Sequence, residues 1–416
     1  MKRYSGWFAF APALIFALGL SFSGAYGQEV IKIGMTNSLS GIFQTPATKV
    51  WQGARTWEEW INAKGGIFVK DKGKKLKVKL IYYDDETNRE TLARLYERLA
   101  VTDKVDFFFA PYSSGQTIVV ASIADKYKKL MIATSASAAK IYSQGYEYIV
   151  QGIERSDEFG RPYVDLIKRV DPDHMRLAMV YEDSLFPKTV ATTVKKIAEE
   201  LGFEIVFYDK IPRGAQDVTP VLTRVRQIKP DHIYIIALPS TSILALRQAA
   251  ELKLTARSIA VLDNGMYYFK DTLGGKLLRD VLGPVEWDMS QRYKITYGPD
   301  NDEFKKWHDK IFPKKKQQLD NHSPLGFNVG LMLQRAIEET GTLDSQKLRK
   351  VFCTLRMTTL VGPQAWECEN GMMHRPKDGG KPTLVTQWRE DATTVTVWPP
   401  KIGDLKKLVL PKRPFQ

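Results

Sequence analysis

The sequence predicts an α/β fold of two doubly wound units, each a mostly parallel sheet with helices on both faces. Short apolar strands alternate with amphipathic helices over residues 30–133. The same rhythm restarts after Gln151-Gly152 and continues to residue 262. A chain of 416 residues is also too long for one ordinary core and suits two or three compact units. Parallel strands require crossovers, and in nearly every case these are right-handed, which fits the intervening helical segments.

The elements follow in order. Residues 30–35 alternate as a strand and end in the turn Ser38-Leu39-Ser40-Gly41. Val50, Trp51, Ala54, Trp57, Trp60 and Ile61 recur at three- and four-residue steps, which makes a helix stopped by Gly65-Gly66. Its tryptophan stripe reads as a packed core face. Strands are predicted over 78–83, 105–110 and 130–133, and helices over 91–101 and 117–128. The second unit places strands at 177–181, 204–208, 232–237 and 258–262, and helices at 188–201, 218–228 and 243–252. A third portion is helical at 304–312, 327–340 and 348–352. It ends in a hairpin of 384–388 and 394–398, read as an addition to one lobe.

Ahead of the first strand, Lys2 and Arg3 precede a nearly unbroken apolar run over 6–20, and Ala25-Tyr26-Gly27 matches a small-x-small cleavage pattern. A signal peptide is therefore expected over 1–27, with Gln28 first in the exported chain. The apolar run is shorter than the roughly 20 residues a membrane span needs, and none like it recurs, so stable membrane insertion is not expected. No cysteine near the junction offers a site for a lipid.

Hydrophobic content of 44% and charged content of 26% are ordinary for a globular chain. The net charge of +14 raises the question of nucleic acid. The lysines cluster in polar runs at 70–79 and 314–316 with no interleaved aromatic platform, so a solvated face is expected and nucleic acid is not. Cys353 and Cys368 are the two cysteines. In an oxidising compartment they can pair and close a loop of about 15 residues worth about 3 kcal/mol, or they can stay as buried thiols.

Motifs for catalysis are sparse. His174, His232, His308, His322 and His374 are scattered without metal-ligand spacing, and His322, beside Asn321 at a helix start, reads as a surface or capping residue. There is no G-x-S-x-G elbow, no dinucleotide glycine loop and no P-loop. Asp84-Asp85-Glu86 reads as a loop feeding the next helix. No cofactor, no metal and no enzymatic activity are expected.

Open α/β sheets bind ligands beyond the carboxyl ends of their strands. The tips there hold residues 38–43, Pro111-Tyr112-Ser113-Ser114-Gly115 and Thr134-Ser135-Ala136-Ser137. Hydroxyls and bare N–H groups at helix starts suit a carboxylate, although capping alone would also explain the serines.

These segments resemble the leucine-binding-protein-like, or branched-chain amino-acid-binding, family of periplasmic receptors. The likeness rests on Ile31-Lys32-Ile33-Gly34, Leu39-Ser40-Gly41, Gly53-Ala54-Arg55, the run 61–67, Tyr83-Asp84-Asp85, Tyr112-Ser113-Ser114 and Val385-Thr386-Gln387-Trp388. It implies two Rossmann-like lobes joined by a three-crossover hinge, the type I periplasmic binding protein fold. The crossovers fall near Gln151-Gly152, residues 281–286 and Gly362-Pro363. The lobes are then 28–151 plus 284–361 and 152–283 plus 362–400, followed by a tail at 401–416. The resemblance further implies a periplasmic monomer that serves the permease subunits of an ABC transporter.

Position by position, the family's carboxylate-holding serine resembles Ser113, with Ser114 beside it. Its carbonyl and hydroxyl pair resembles Ala136 and Ser137. The ring of its Tyr-Gly pair falls on Phe186, here followed by Pro187, its second-lobe tyrosine near Leu238-Pro239, and its ammonium-binding acid on Asp263 or Asn264. Phe43 and Tyr112 supply side walls. Loss of two tyrosine hydroxyls leaves two ligands open, a hydrophobic amino acid or a plain aromatic or aliphatic carboxylate. A sensory role for the same lobes and an exported enzyme on this fold also stay open.

Overall fold

The structure is a computed structural model that describes Met1 and residues 29–264, 267–313, 319–367 and 383–415. Residues 2–27 of the expected leader, the lysine run at 314–316, His374 and Cys368 lie outside these residues.

Two sheets organise the chain. The first holds β1 (Val30–Thr36), β2 (Ile67–Val69), β3 (Lys74–Tyr83), β4 (Phe107–Phe109), β5 (Met131–Ala133) and β6 (Ile149–Gln151), in the order β2-β3-β1-β4-β5-β6. All pairs are parallel except β2 with β3. The second holds β7 (Arg176–Glu182), β8 (Glu204–Ile211), β9 (His232–Ile236), β10 (Ser258–Val261) and β11 (Leu282–Val285) in the order β8-β7-β9-β10-β11. Two small strands, β12 (Met357–Thr359) and β13 (Gly362–Gln364), pair apart from both sheets. The hairpin β14 (Leu384–Trp388) and β15 (Thr394–Trp398) then extends the second sheet, antiparallel to β11.

Apart from edge additions, both sheets start at an inner strand, step outward once, and then reverse. The reversal lies between β1 and β4 in the first sheet and between β7 and β9 in the second. At such a switch point the following helices depart to opposite faces and leave a crevice beyond the strand ends.

The crossing expected over 281–286 falls at the end of that range, and the one expected at Gly362-Pro363 comes later in the chain. Leu282–Val285 is a full strand of the second sheet and Trp287 is already buried in the first lobe's core, so the chain changes lobe at Glu286. Gly362-Pro363 is no crossover, because it lies in β13. Met357, Leu360, Val361 and Trp366 all bury in the first lobe's core, and Trp366 Nε1 donates to the Gln151 carbonyl at 2.6 Å. The first lobe therefore keeps the chain through Trp366. The tail at 401–416 is not separate either. Val409 exchanges two hydrogen bonds with the Gln387 side chain, Arg413 pairs with Asp280, and Phe415 packs on the second lobe. Cys353 is disulfide-bonded.

One helix crossing bears directly on the cleft. The helix Gln44–Ala63 buries Trp57 and Trp60, as its stripe predicts, and crosses the helix His322–Thr340. A Cβ on Gly53 would lie 1.8 Å from the Ser323 carbonyl oxygen, and one on Gly326 would lie 2.0 Å from that of Val50. Only glycine permits so close an approach. The contact fixes the start of the second helix, Asn321-His322, at the crevice.

Candidate functional site

The crevices of the two lobes face each other across a cavity. Its wall includes Tyr112, Ser113, Ser114, Ser135 and Ser137 from the first lobe, and Phe186, Leu238 and Asp263 from the second. An outer chamber toward the mouth shares Ser113, Ser114, Phe186 and Leu238 and adds Phe43, Arg89 and Arg213. Phe43, Tyr112 and Leu238 form one buried apolar cluster with Phe186 against it, so the lobes touch in a closed arrangement.

The first lobe's wall follows from β4 and β5. After β4 the chain runs through Tyr112, which bridges Ser135 beyond β5, and opens the helix Ser114–Lys126. Ser113 caps that helix, accepting weakly from the Gln116 N–H at 3.4 Å. Its φ of 78° lies in a region costly for any residue but glycine, by about 1–3 kcal/mol, and such strain tends to collect at binding sites. Ser114 Oγ accepts from the N–H groups of Ser137 (3.1 Å) and Ala138 (3.2 Å), which ties the two tips together.

The loop acids brace the outer tips. Asp85 accepts from the Ser38 hydroxyl at 2.5 Å, and Asp84 accepts from the Leu39 N–H at 2.8 Å. The helix-feeding reading of this triplet holds, with Asn88 as the cap. In the second lobe, buried Glu182 accepts from the Ser184 hydroxyl and the Leu238 N–H and so joins the tips of β7 and β9. The Phe186 ring meets Phe159 edge-on at 5.7 Å.

Asp263 is 7% exposed and follows β10 with φ 54°. Burial, reinforced by the carboxylates of Glu286 and Asp320, pushes its carboxyl up to about 7. Burial also pushes Asp320 up to about 6, against Lys49 and nearby backbone N–H groups, and pushes the His322 imidazole down to about 3. Arg213 stacks on the Phe43 ring at 5.2 Å, and burial together with the neighbouring Arg89 charge lowers it.

Of the residues singled out from sequence, Phe43, Tyr112, Ser113, Ser114, Ser137, Phe186, Leu238 and Asp263 meet at the two chambers. Two stand back from the walls. The Ala136 carbonyl accepts from the Tyr142 hydroxyl at 2.6 Å. The Asn264 amide donates to Thr386, and its oxygen accepts from Trp388 Nε1, so it fastens β14. His322 is no surface residue: it is 3% exposed, lies against the Tyr112 ring at 5.3 Å and lines the inner cavity with Asn321.

Glu286, Ile153, Phe159 and Leu325 were also missed. Glu286 could have been found by the strand-tip rule, had β11 been recognised as a strand. Nothing local marks the others. Among the described residues no group of three or more His, Cys, Asp and Glu is placed to hold a metal, and no helix is long and apolar enough to cross a membrane.

Two α/β lobes that clasp one cavity at their switch points define the class of two-lobed binding proteins. The chain belongs to the periplasmic binding protein family, whose model matches residues 30–392. It is 22% identical to the leucine-, isoleucine-, valine-, threonine-, and alanine-binding protein of Pseudomonas aeruginosa over 397 residues, 92% of this chain and 97% of that one. It is 26% identical over 219 residues to the Leu/Ile/Val-binding protein of Escherichia coli K12, a match spanning 52% of this chain and just over half, 57%, of that protein.

Among solved structures, a leucine binding protein from Thermotoga maritima superposes with a TM-score of 0.74 at 18% identity, covering 88% of this chain and 97% of that one. A solute binding protein of an ABC transporter from Rhodopseudomonas palustris, in complex with benzoate, gives 0.74 at 14% identity, covering 93% and 97%. The type I fold expected from the sequence is the fold observed.

Proposed function

We propose that this chain is an exported receptor that captures a small amino acid with an apolar or aromatic body in the cleft. It hands the ligand to the permease subunits of an ABC importer, acting as a periplasmic monomer once a leader at 1–27 is removed. The observation that carries this reading is the pairing of opposite chemistries across one cavity. Ser113 and Ser137 hydroxyls beside a helix start suit a carboxylate, and Asp263 and Glu286 suit an ammonium. Tyr112, Ile153, Phe159, Phe186, Leu238 and Leu325 enclose the body between them. The ligands in the relatives' names, leucine, isoleucine and valine with threonine and alanine in one, support the same choice.

A second reading is a carboxylate without an amino group. The observation that favours it is Asp263 itself, which at a pKa of about 7 can stay protonated and donate to a ligand carboxylate. The two readings differ in the sign of their pH dependence. An ammonium favours ionised Asp263, so its binding releases a proton and tightens by up to about tenfold per unit as pH rises toward 7. A plain carboxylate favours the protonated acid, so its binding takes up a proton and weakens as pH rises through 7. Calorimetry of amino acids and carboxylates at pH 6 and pH 8 measures both the affinity and the proton count. A purified protein that binds neither class would refute the receptor reading.

A further inference from the structure

We infer that Asn321, His322 and Ser135 form a polar floor of the cavity that reads an uncharged hydroxyl or carbonyl on the body of the ligand. This rests on the receptor reading and narrows its ligand to one carrying a polar substituent besides its charged end.

The floor stands out because the protein leaves it unpartnered. The Ser135 hydroxyl, both polar atoms of the Asn321 carboxamide and Nδ1 of His322 are buried and make no hydrogen bond within the protein. All three residues line the inner cavity. Asn321 is 1% exposed and His322 3%. A buried polar atom without a partner costs roughly 1–3 kcal/mol, so a wall that served only to enclose an aliphatic body would be more stable if it were apolar. The backbone that carries two of these groups is held in place. The Gly53–Ser323 and Gly326–Val50 contacts pin the helix start, and the Tyr112 ring lies against the imidazole.

The chemistry of the floor is neutral. Burial keeps the imidazole uncharged, with one donor and one acceptor, and the carboxamide and hydroxyl each offer both. Such a surface matches a hydroxyl or carbonyl and gives nothing to a second full charge. The formal charges of the cavity, Asp263 and Glu286, follow β10 and β11 of the other lobe, and Ser113 and Ser137 belong to neighbouring tips. The floor is therefore free to report on a group that neither end of a simple amino acid supplies.

The test uses the exported chain and ligand pairs that differ by one hydroxyl: valine and threonine, phenylalanine and tyrosine, benzoate and 4-hydroxybenzoate. Calorimetry should show the hydroxylated member of at least one pair bound about tenfold tighter or better. In N321L and H322L that preference should fall to within about twofold. The ligand-free variants should melt no lower than the parent, since they lose unpartnered groups and no hydrogen bond. S135A and N321A are milder changes that give the same reading should a leucine fail to pack.

A parent that binds both members of every pair equally would overturn the floor and leave the receptor standing. So would a preference that survives all four variants, or variants that all melt well below the parent, which would make these groups part of the fold. A parent that binds no member of any pair would overturn the receptor and the floor together.

Discussion

In the first lobe the strand tips at the switch point carry hydroxyls and open a helix, whereas the matching tips of the second lobe carry a buried acid and rings. Ser113 follows β4 at the first switch point and Asp263 follows β10, one strand beyond the second, yet both carry a positive φ that few side chains adopt. Their environments differ. Ser113 sits among backbone N–H donors at the start of Ser114–Lys126, while Asp263 is buried in the cavity wall near the carboxylates of Glu286 and Asp320. The difference teaches that strand order decides where a ligand can lie, and the residue types at the tips decide which charge each wall accepts. Similar sheets facing each other produce a cavity with two unlike ends.

The sharpest way to break this comparison is at the acidic wall. Asp263→Asn is expected to weaken amino-acid binding by about 100-fold or more, because a buried ammonium loses its counter-charge. The same change should alter binding of a plain carboxylate only a few-fold. Titration calorimetry of both ligand types against both proteins decides it, and equal losses would mean that Asp263 only shapes the pocket.

The hydroxyl wall should respond less. Ser113→Ala is expected to cost about 1–3 kcal/mol of binding, the range for a hydrogen bond to a charged group. Ser113→Gly should lose as much affinity but melt higher, since glycine relieves the positive φ. An unchanged dissociation constant in both would remove Ser113 from the contact set.

The walls should also differ in their response to pH without ligand. Asp263 and Asp320 titrate at about 7 and 6 in the folded chain, above their ordinary value of 3.8. The folded state holds these protons more tightly than the unfolded state, so the stability they confer is complete below about pH 4 and is lost as pH rises to 7. The melting temperature of Asp263→Asn relative to the parent should therefore rise between pH 5 and pH 7.5. A flat difference would place Asp263 in contact with water.

The smallest effect belongs to the mouth. Arg89 and Arg213 come from opposite lobes, and neither makes an ion pair with a carboxylate among the described residues. Their field should steer an anionic group inward, so Arg89→Gln or Arg213→Gln should slow association a few-fold at low salt and hardly at all at high salt. Stopped-flow rates across ionic strength measure this.

Much of the architecture was legible because its signals are local. Alternation and helical spacing marked β1, β3, β7 and β9 and most of the helices, and serines next to strand ends marked Ser113 and Ser137. The strand Leu282–Val285 was missed and the last crossover was set too early at Gly362-Pro363, because Leu282–Val285 and Gly362–Gln364 are too short to show whether they pair, and with which sheet.

By itself, then, the sequence determined the sheet rhythm, the fold class and the hydroxyl tips, since each follows from neighbours a few residues apart. Only the tertiary structure decided that Asn321 and His322 face the ligand. They sit at an ordinary helix start, and what aims them is a glycine-to-backbone crossing with a helix more than 250 residues earlier. A contact of that range leaves no periodic trace in the residues around it.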